Sequence, residues 1–127
     1  MRLVLLSPWL DVTCAEPAQA LLDDHDPLLA LPALREEGQW YAGGLSPKDS
    51  RVSPLYGDLH GLPPILVLTG THNVLNSDAH RVQAAMASQP AALKMIEYQN
   101  MLHVWPSLPI PEAKEAMHDI LNFLQIC

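Results

Sequence analysis

Three short apolar runs divide the chain and predict three β-strands, at Leu3–Leu6, residues 65–69 and Leu93–Tyr98. The first two runs are almost continuous in Val, Leu and Ile, which is typical of parallel strands covered on both faces. The third run alternates more regularly between apolar and polar residues. We therefore expect it to lie nearer an edge of the sheet.

Helical spacing of apolar residues follows the second and third runs. Residues 78–88 predict one helix, with Asn76 or Ser77 as its N-cap. Pro111 predicts the start of another helix, which runs to about residue 124, because proline suits a first helical turn. The apolar stripes are Ala79, Val82, Ala85 and Met86 in the first helix, and Ala113, Ala116, Met117, Ile120, Leu121 and Leu124 in the second. The order β, long connection, β, α, β, α predicts an α/β layer fold.

The long connection, residues 9–62, is rich in Pro, Gly, Ser and Asp. It predicts a helix over residues 32–41, a short turn at Pro17–Leu22 and loop elsewhere. A connection of this length is usually functional or belongs to a larger architecture. Residues 63–127 form a β-α-β-α end, and the 127 residues are long enough for one domain with one core.

Charge and composition exclude several classes of function. The formal net charge of −7 argues against binding to nucleic acid or to an anionic membrane, since both require a basic surface. The apolar run that begins at Leu3 is too short for a signal peptide or a membrane span, and Pro8 ends it. Cys14 and Cys127 have no partner motif and predict free thiols in a reducing compartment. We expect a cytoplasmic protein.

The residue types that commonly bind metals and cofactors do not occur in this sequence at the spacing that such sites require. Four of the six histidines do not share a metal-ligand spacing, so neither a metal nor another cofactor is expected; these four are His60, His72, His80 and His118. The tryptophans, which are Trp9, Trp40 and Trp105, are interpreted as core or cap-packing residues. The acidic residues Asp23, Asp24 and Asp26 are interpreted as a solvated loop.

Six motifs occur in order along the chain: Leu6-Ser-Pro-Trp-Leu-Asp11, Asp26-Pro-Leu28, Ser53-Pro-Leu-Tyr56, Leu62-Pro-Pro64, Gly70-Thr-His-Asn73 and His103-Val-Trp105. Together they resemble the C-terminal portion of the hormone-sensitive-lipase-like α/β-hydrolases, the fold-3 or acetyl-esterase group. The resemblance implies a partial α/β-hydrolase fold of about three parallel strands with flanking helices, without the N-terminal half of the sheet. It also implies an ancestral serine-dependent hydrolysis of small carboxylic esters.

The resemblance places His103 at the family's base position and Asn73 at its acid position. A neutral imidazole can take the proton of a nucleophilic serine near pH 7, and a carboxylate on its far nitrogen fixes the tautomer. An amide at position 73 carries no charge and can present its NH2 group to the ring instead. Asp78, in the first turn of the following helix, is the alternative acid.

The nucleophile half of the site is absent from these 127 residues. No Gly-x-Ser-x-Gly occurs; the nearest segment, Gly44-Leu-Ser-Pro-Lys48, lacks the second glycine and has proline where a helix must begin. A His-Gly-Gly oxyanion loop is also absent. In the family these motifs precede the strand that corresponds to Leu3–Leu6.

The sequence is compatible with three interpretations of its function. The chain is predicted to be inactive alone. It can also be a half-enzyme completed in trans by a chain carrying Gly-x-Ser-x-Gly, or a non-enzymatic interaction module that uses residues 9–62. Without its family neighbour, the strand Leu3–Leu6 leaves unpaired N–H and C=O groups. The sequence therefore predicts a homo-oligomer or a complementary hydrolase chain at that strand.

Overall fold

The computed structural model describes residues 1–89 and 92–125. Its centre is a parallel sheet of three strands in the order β1 (Leu3–Leu6), β2 (Ile65–Gly70) and β3 (Leu93–Tyr98). In the register, Ile65 of β2 pairs with Leu3 on one side and with Leu93 on the other. The predicted partial α/β fold is confirmed, and β2 is one residue longer than its apolar run.

The described residues form four α-helices, which are α1 (Pro17–Leu22), α2 (Leu31–Ala42), α3 (Asn76–Ala85) and α4 (Pro111–Gln125). Of these, α2, α3 and α4 lie close to predicted helices, and α1 lies where a short turn was predicted. Proline lies in the first turn of α1, α2 and α4, where its missing N–H costs no hydrogen bond. None of the helices in the described part of the chain combines the length and the hydropathy that a membrane span requires.

The core consists of two apolar layers on opposite faces of β2, all six residues of which are buried. On one face Ile65 and Val67 pack against Ala79 and Val82 of α3 and against Met86, which follows that helix. On the other face Leu66 and Leu68 pack with Trp105, Ala116 and Ile120. Each fully buried aliphatic side chain contributes about 2 kcal/mol, so β2 is the element most strongly stabilised by burial.

The long segment 9–62 packs on the ends of the sheet through apolar clusters of its own. Cys14, Leu31 and Leu34 contact Val74 and Leu75, which follow β2. A second cluster joins residues within the segment itself, namely Val12, Ala42 and Val52. The segment is therefore an ordered layer that is anchored to the loop after β2.

The apolar stripes of α3 and α4 are only partly buried, and the interpretation of one tryptophan was wrong. Half of the α4 stripe is buried, whereas Met117, Leu121 and Leu124 remain nearly half exposed. Ala85 on α3 is exposed as well. Trp40 on α2 is 72 % exposed and is not a packing residue.

The predicted N-cap of α3 was also wrong. Residue Leu75 occupies the N-cap position and supplies no side-chain hydrogen bond, so the helix begins at Asn76, two residues earlier than predicted. The Asn76 amide instead donates to Thr69 Oγ1 and Glu97 Oε2, at 3.2 and 2.8 Å. Because the Asn76 side chain bonds to residues of the sheet, it does not cap the helix.

The structure describes one of the two cysteines. Cys14 is a buried thiol in the segment 9–62, and burial raises its pKa to about 11. Cys127 lies outside the described residues.

Candidate functional site

Loops from the three strands converge at their carboxyl ends. Ser7, directly after β1, adopts a positive φ of 46° and donates its backbone N–H to Leu68 O at 2.8 Å. Its Oγ accepts the backbone N–H of Val104 at 3.0 Å. Val104 also has a positive φ, 48°, which is unfavourable for a β-branched residue. The end of β1 thus holds the residue next to His103.

The loops after β2 and β3 are in direct backbone contact. His72 donates its backbone N–H to Met101 O at 3.0 Å, and Asn100 donates to Thr71 Oγ1 at 2.7 Å. At Gly70, a Cβ atom would lie 2.1 Å from Met101 O, so only glycine permits this approach. The residues at the predicted acid and base positions therefore lie on two loops that are fastened together.

Asn73 is fully buried in the loop after β2. Its Oδ1 accepts the backbone N–H of Leu75 at 3.1 Å, which sets the orientation of the amide. Its Nδ2 is buried and has no hydrogen-bond partner in residues 1–89 and 92–125. The predicted acid position therefore holds a hydrogen-bond donor, where a carboxylate would hold an acceptor.

His103 is partly buried, and its Nδ1 is enclosed without a hydrogen-bond partner among the described residues. Burial lowers the pKa of this imidazole below its ordinary value, and the negative charge of Asp26 opposes that effect. Since the net direction is downward, His103 is predominantly neutral at pH 7. Within the described ranges, no carboxylate bonds to Nδ1.

Asp26 corrects the expectation of a solvated acidic loop. It is 8 % exposed, and Oδ1 accepts the backbone N–H groups of Leu28 and Leu29 at 2.9 and 3.0 Å. Oδ2 accepts the backbone N–H of Val74 at 2.9 Å, next to Asn73. The carboxylate thus joins segment 9–62 to the loop after β2. The Asp-Pro dipeptide, which favours such a local turn, was the available sequence signal.

Asp78, the alternative acid, is held by other partners. Its Oδ2 accepts the backbone N–H groups of Leu10 and Asp11, at 2.7 and 3.0 Å. Arg81 lies 3.6 Å from the other oxygen and bonds Asp11 at 2.7 Å. Burial raises the pKa of Asp78 to about 6, against the lowering effect of those backbone bonds. This cluster fastens the segment after β1 to α3.

Two of the three buried serines in the described residues, Ser7 and Ser53, support neighbouring loops, whereas Ser77 Oγ has no hydrogen-bond partner there. Ser7 accepts the Val104 N–H, as described, and Ser53 accepts the backbone N–H of Val12 at 2.9 Å while donating to Pro47 O at 2.6 Å. Among the described residues, no group of three or more His, Cys, Asp or Glu side chains is arranged to hold a metal ion.

The fold and the converging loops define the class as an α/β-hydrolase. A family model described as alpha/beta hydrolase fold matches residues 1–107. The chain is 34 % identical over 126 residues to an acetyl-hydrolase of Streptomyces hygroscopicus, covering 96 % of this chain and 42 % of that protein. It is 35 % identical over 127 residues to an esterase of Acinetobacter venetianus, covering 95 % of this chain and 41 % of the relative.

Solved structures of similar fold give the same family assignment. An esterase from the bacterial hormone-sensitive lipase family superposes with a TM-score of 0.91 at 31 % identity, over 98 % of this chain and 42 % of that one. A hormone-sensitive-lipase homologue from a metagenome library gives a TM-score of 0.90 at 28 % identity, over 96 % and 43 %. This chain belongs to the α/β-hydrolase family, as a portion of a hormone-sensitive-lipase-like hydrolase that spans about two fifths of its relatives' length.

Proposed function

We propose that these 127 residues are the base-bearing portion of a carboxylesterase for small esters and have no hydrolytic activity by themselves. The observation that carries the proposal is that no carboxylate in the described residues bonds to His103 Nδ1, while the predicted acid position, 73, holds a buried amide. The absence of Gly-x-Ser-x-Gly from this stretch agrees with it. The ester substrates are suggested by the acetyl-hydrolase and esterase relatives.

Hydrolysis of p-nitrophenyl acetate by the purified chain tests the proposal, beside His103→Ala and a serine-directed phosphonate label. His118→Ala is the matched control, because His118 is an exposed histidine on α4. We expect background turnover in all three chains and no labelled serine. Turnover that falls only in His103→Ala, with one serine labelled, would disprove the proposed inactivity and identify the nucleophile.

A second candidate function is completion in trans by a chain that carries the nucleophile strand. Among the described strands, β1 pairs only with β2, and Leu3 is 38 % exposed. An apolar cavity of about 220 Å³ opens beside β1, lined by Leu3, Leu5, Leu10, Leu55, Leu59 and Ile65 among others. An unpaired edge next to an apolar groove favours association with another chain.

Sedimentation at micromolar concentration tests this association, alone and with the portion of the Acinetobacter esterase that precedes the matched region. Leu3 and Ser7 direct their N–H groups to β2, so the alternation of a strand directs the N–H of Val4 outward. Val4→Pro should therefore block the edge while keeping the bonds to β2. A chain that stays monomeric in the presence of the added segment would contradict completion in trans. Association that Val4→Pro leaves unchanged would contradict it as well.

We also propose a cytoplasmic location, as predicted from the two cysteines without a pairing motif.

A further inference from the structure

A surface cavity of about 410 Å³ lies between helix α2, the segment that follows β1, and residues 51–54. Its volume is within the range of about 300–1,000 Å³ that is typical of small-molecule sites. Two aromatic residues, Trp9 and Tyr41, line it together with apolar side chains and two charged ones. Asn73 and His103 are not among its lining residues, so the cavity is separate from the candidate site.

The two aromatic residues are positioned by the packing of α2 on the segment after β1. The Trp9 indole N–H donates to the backbone oxygen of Asp11 at 3.0 Å, which fixes the ring. Tyr41, on α2, is 68 % exposed. A Cβ atom at Gly38 of α2 would collide with the backbone oxygen of Val12, so only glycine permits this approach of the helix. The cavity is therefore a product of a specific helix contact.

The uncompensated charge in the lining is negative. Glu37 and Tyr41 are four residues apart on α2 and so lie on the same face of the helix. Within residues 1–89 and 92–125, no Lys, Arg or His forms an ion pair with Glu37. Arg51, the other charged residue of the lining, donates from Nε and Nη2 to the Asp49 carboxylate at 2.9 and 2.7 Å, so its charge is already balanced. The lining thus combines aromatic rings with one carboxylate outside the ion pairs.

We infer that this cavity binds a small quaternary ammonium compound through Glu37, Trp9 and Tyr41. A cation is attracted to the face of an aromatic ring and to a carboxylate, and the net charge of −7 favours cations at this surface. The methyl groups of such a cation make apolar contacts that a strongly hydrated primary ammonium does not, and Val52 and Pro54 supply further apolar lining. This binding function goes beyond the proposed esterase portion and does not depend on it.

Titration of the full chain with choline tests the inference, beside dimethylbutanol, the uncharged carbon isostere of choline. The indole N–H signals in NMR spectra report binding at constant ionic strength, and Trp9→Phe assigns the Trp9 signal among those of three tryptophans. We expect choline to shift the Trp9 signal to saturation. Dimethylbutanol should bind at least about fivefold more weakly, because it fills the same space without the charge.

Glu37→Gln should weaken choline binding about three- to fivefold and leave dimethylbutanol binding unchanged. Tyr41→Leu, which removes one ring, should also weaken choline binding. Glu36→Gln is the matched control, because it removes the same charge from an exposed residue of α2 outside the lining, and it should bind as the wild type does. Equal binding of the two compounds, a shift confined to the exposed Trp40, or equal weakening in the control would overturn the inference. The readout is independent of turnover, so failure here and failure of the proposed inactivity are recognised separately.

Discussion

Ser7 and Val104 are joined by a hydrogen bond of 3.0 Å between a side-chain oxygen and a backbone N–H, although they lie 97 positions apart. Both residues have positive φ angles, of 46° and 48°. The bond therefore connects two strained turns, one after β1 and one after β3. Its effect is to fix the backbone beside His103.

Replacing Ser7 should reveal both parts of this relationship. Ser7→Ala loses the acceptor for Val104 and keeps the strained φ, so we expect a loss of about 1–2 kcal/mol in the free energy of unfolding. Ser7→Gly also loses the acceptor but adopts positive φ freely, and should be the more stable of the two variants. Urea denaturation measures both. Equal stability of the variants would show that Ser7 carries no strain.

Gly70 should tolerate no side chain. In Gly70→Ala the new Cβ would lie 2.1 Å from the Met101 carbonyl oxygen, so the loops after β2 and β3 must separate. We expect a loss of at least about 2 kcal/mol, by thermal or urea unfolding. Gly44→Ala is the matched control, since nothing lies within 4 Å of its Cβ, and it should be nearly neutral. A Gly70→Ala chain as stable as the control would contradict the contact.

Asp26 should stabilise the site through three backbone N–H groups. Asp26→Ala leaves those of Leu28, Leu29 and Val74 without their acceptor, so we expect a loss of roughly 2–4 kcal/mol. Asp26→Asn keeps one acceptor oxygen and should lose less. Both variants remove a negative charge, so the His103 pKa should fall further in an NMR titration. An unchanged His103 pKa would place Asp26 too far away to act on it.

Asp78 should make stability depend on pH. Its folded pKa of about 6 lies above the ordinary aspartate pKa of 3.8, so the native state binds more protons between these values. Stability should therefore fall as pH rises from about 4 to 6, by up to about 1.4 kcal/mol per pH unit from this group alone.

Asp78→Asn should remove this contribution, so the wild type should lose stability relative to the variant across that range. Urea midpoints at several pH values measure the difference. Glu36→Gln, on the exposed face of α2, is the control and should track the wild type. A constant difference between wild type and Asp78→Asn would mean that Asp78 titrates alike in the folded and unfolded chain.

The strands were predictable because burial on both faces leaves a nearly unbroken apolar run, as in β2. The partners of individual polar residues were not, because they depend on contacts between distant segments. Asn76 reads as a helix cap but bonds Thr69 and Glu97 on the sheet. The sequence predicts Asp26 as a solvated residue, whereas the fold brings Val74, 48 positions away, into hydrogen-bond contact with it.

The candidate site was predictable in position and not in detail. Positions 73 and 103 follow two apolar runs, and parallel strands bring such loops together. The roles of these two residues in catalysis remain predictions. Nothing in the local sequence around Ser7 indicates that its hydroxyl would hold Val104, because that contact requires all three strands in place.

The pairing of β1 with β2 across a long segment also bears on how the chain acquires its structure. Leu3 pairs with Ile65, 62 positions later, so β1 cannot join the sheet until the whole intervening segment has been made. At synthesis rates of about 5–20 residues per second, β1 waits roughly 3–12 seconds on the ribosome before its partner is made. Among the described strands, β2 is the neighbour that β1 must wait for. A sheet that needs a pairing across so long a segment should form slowly.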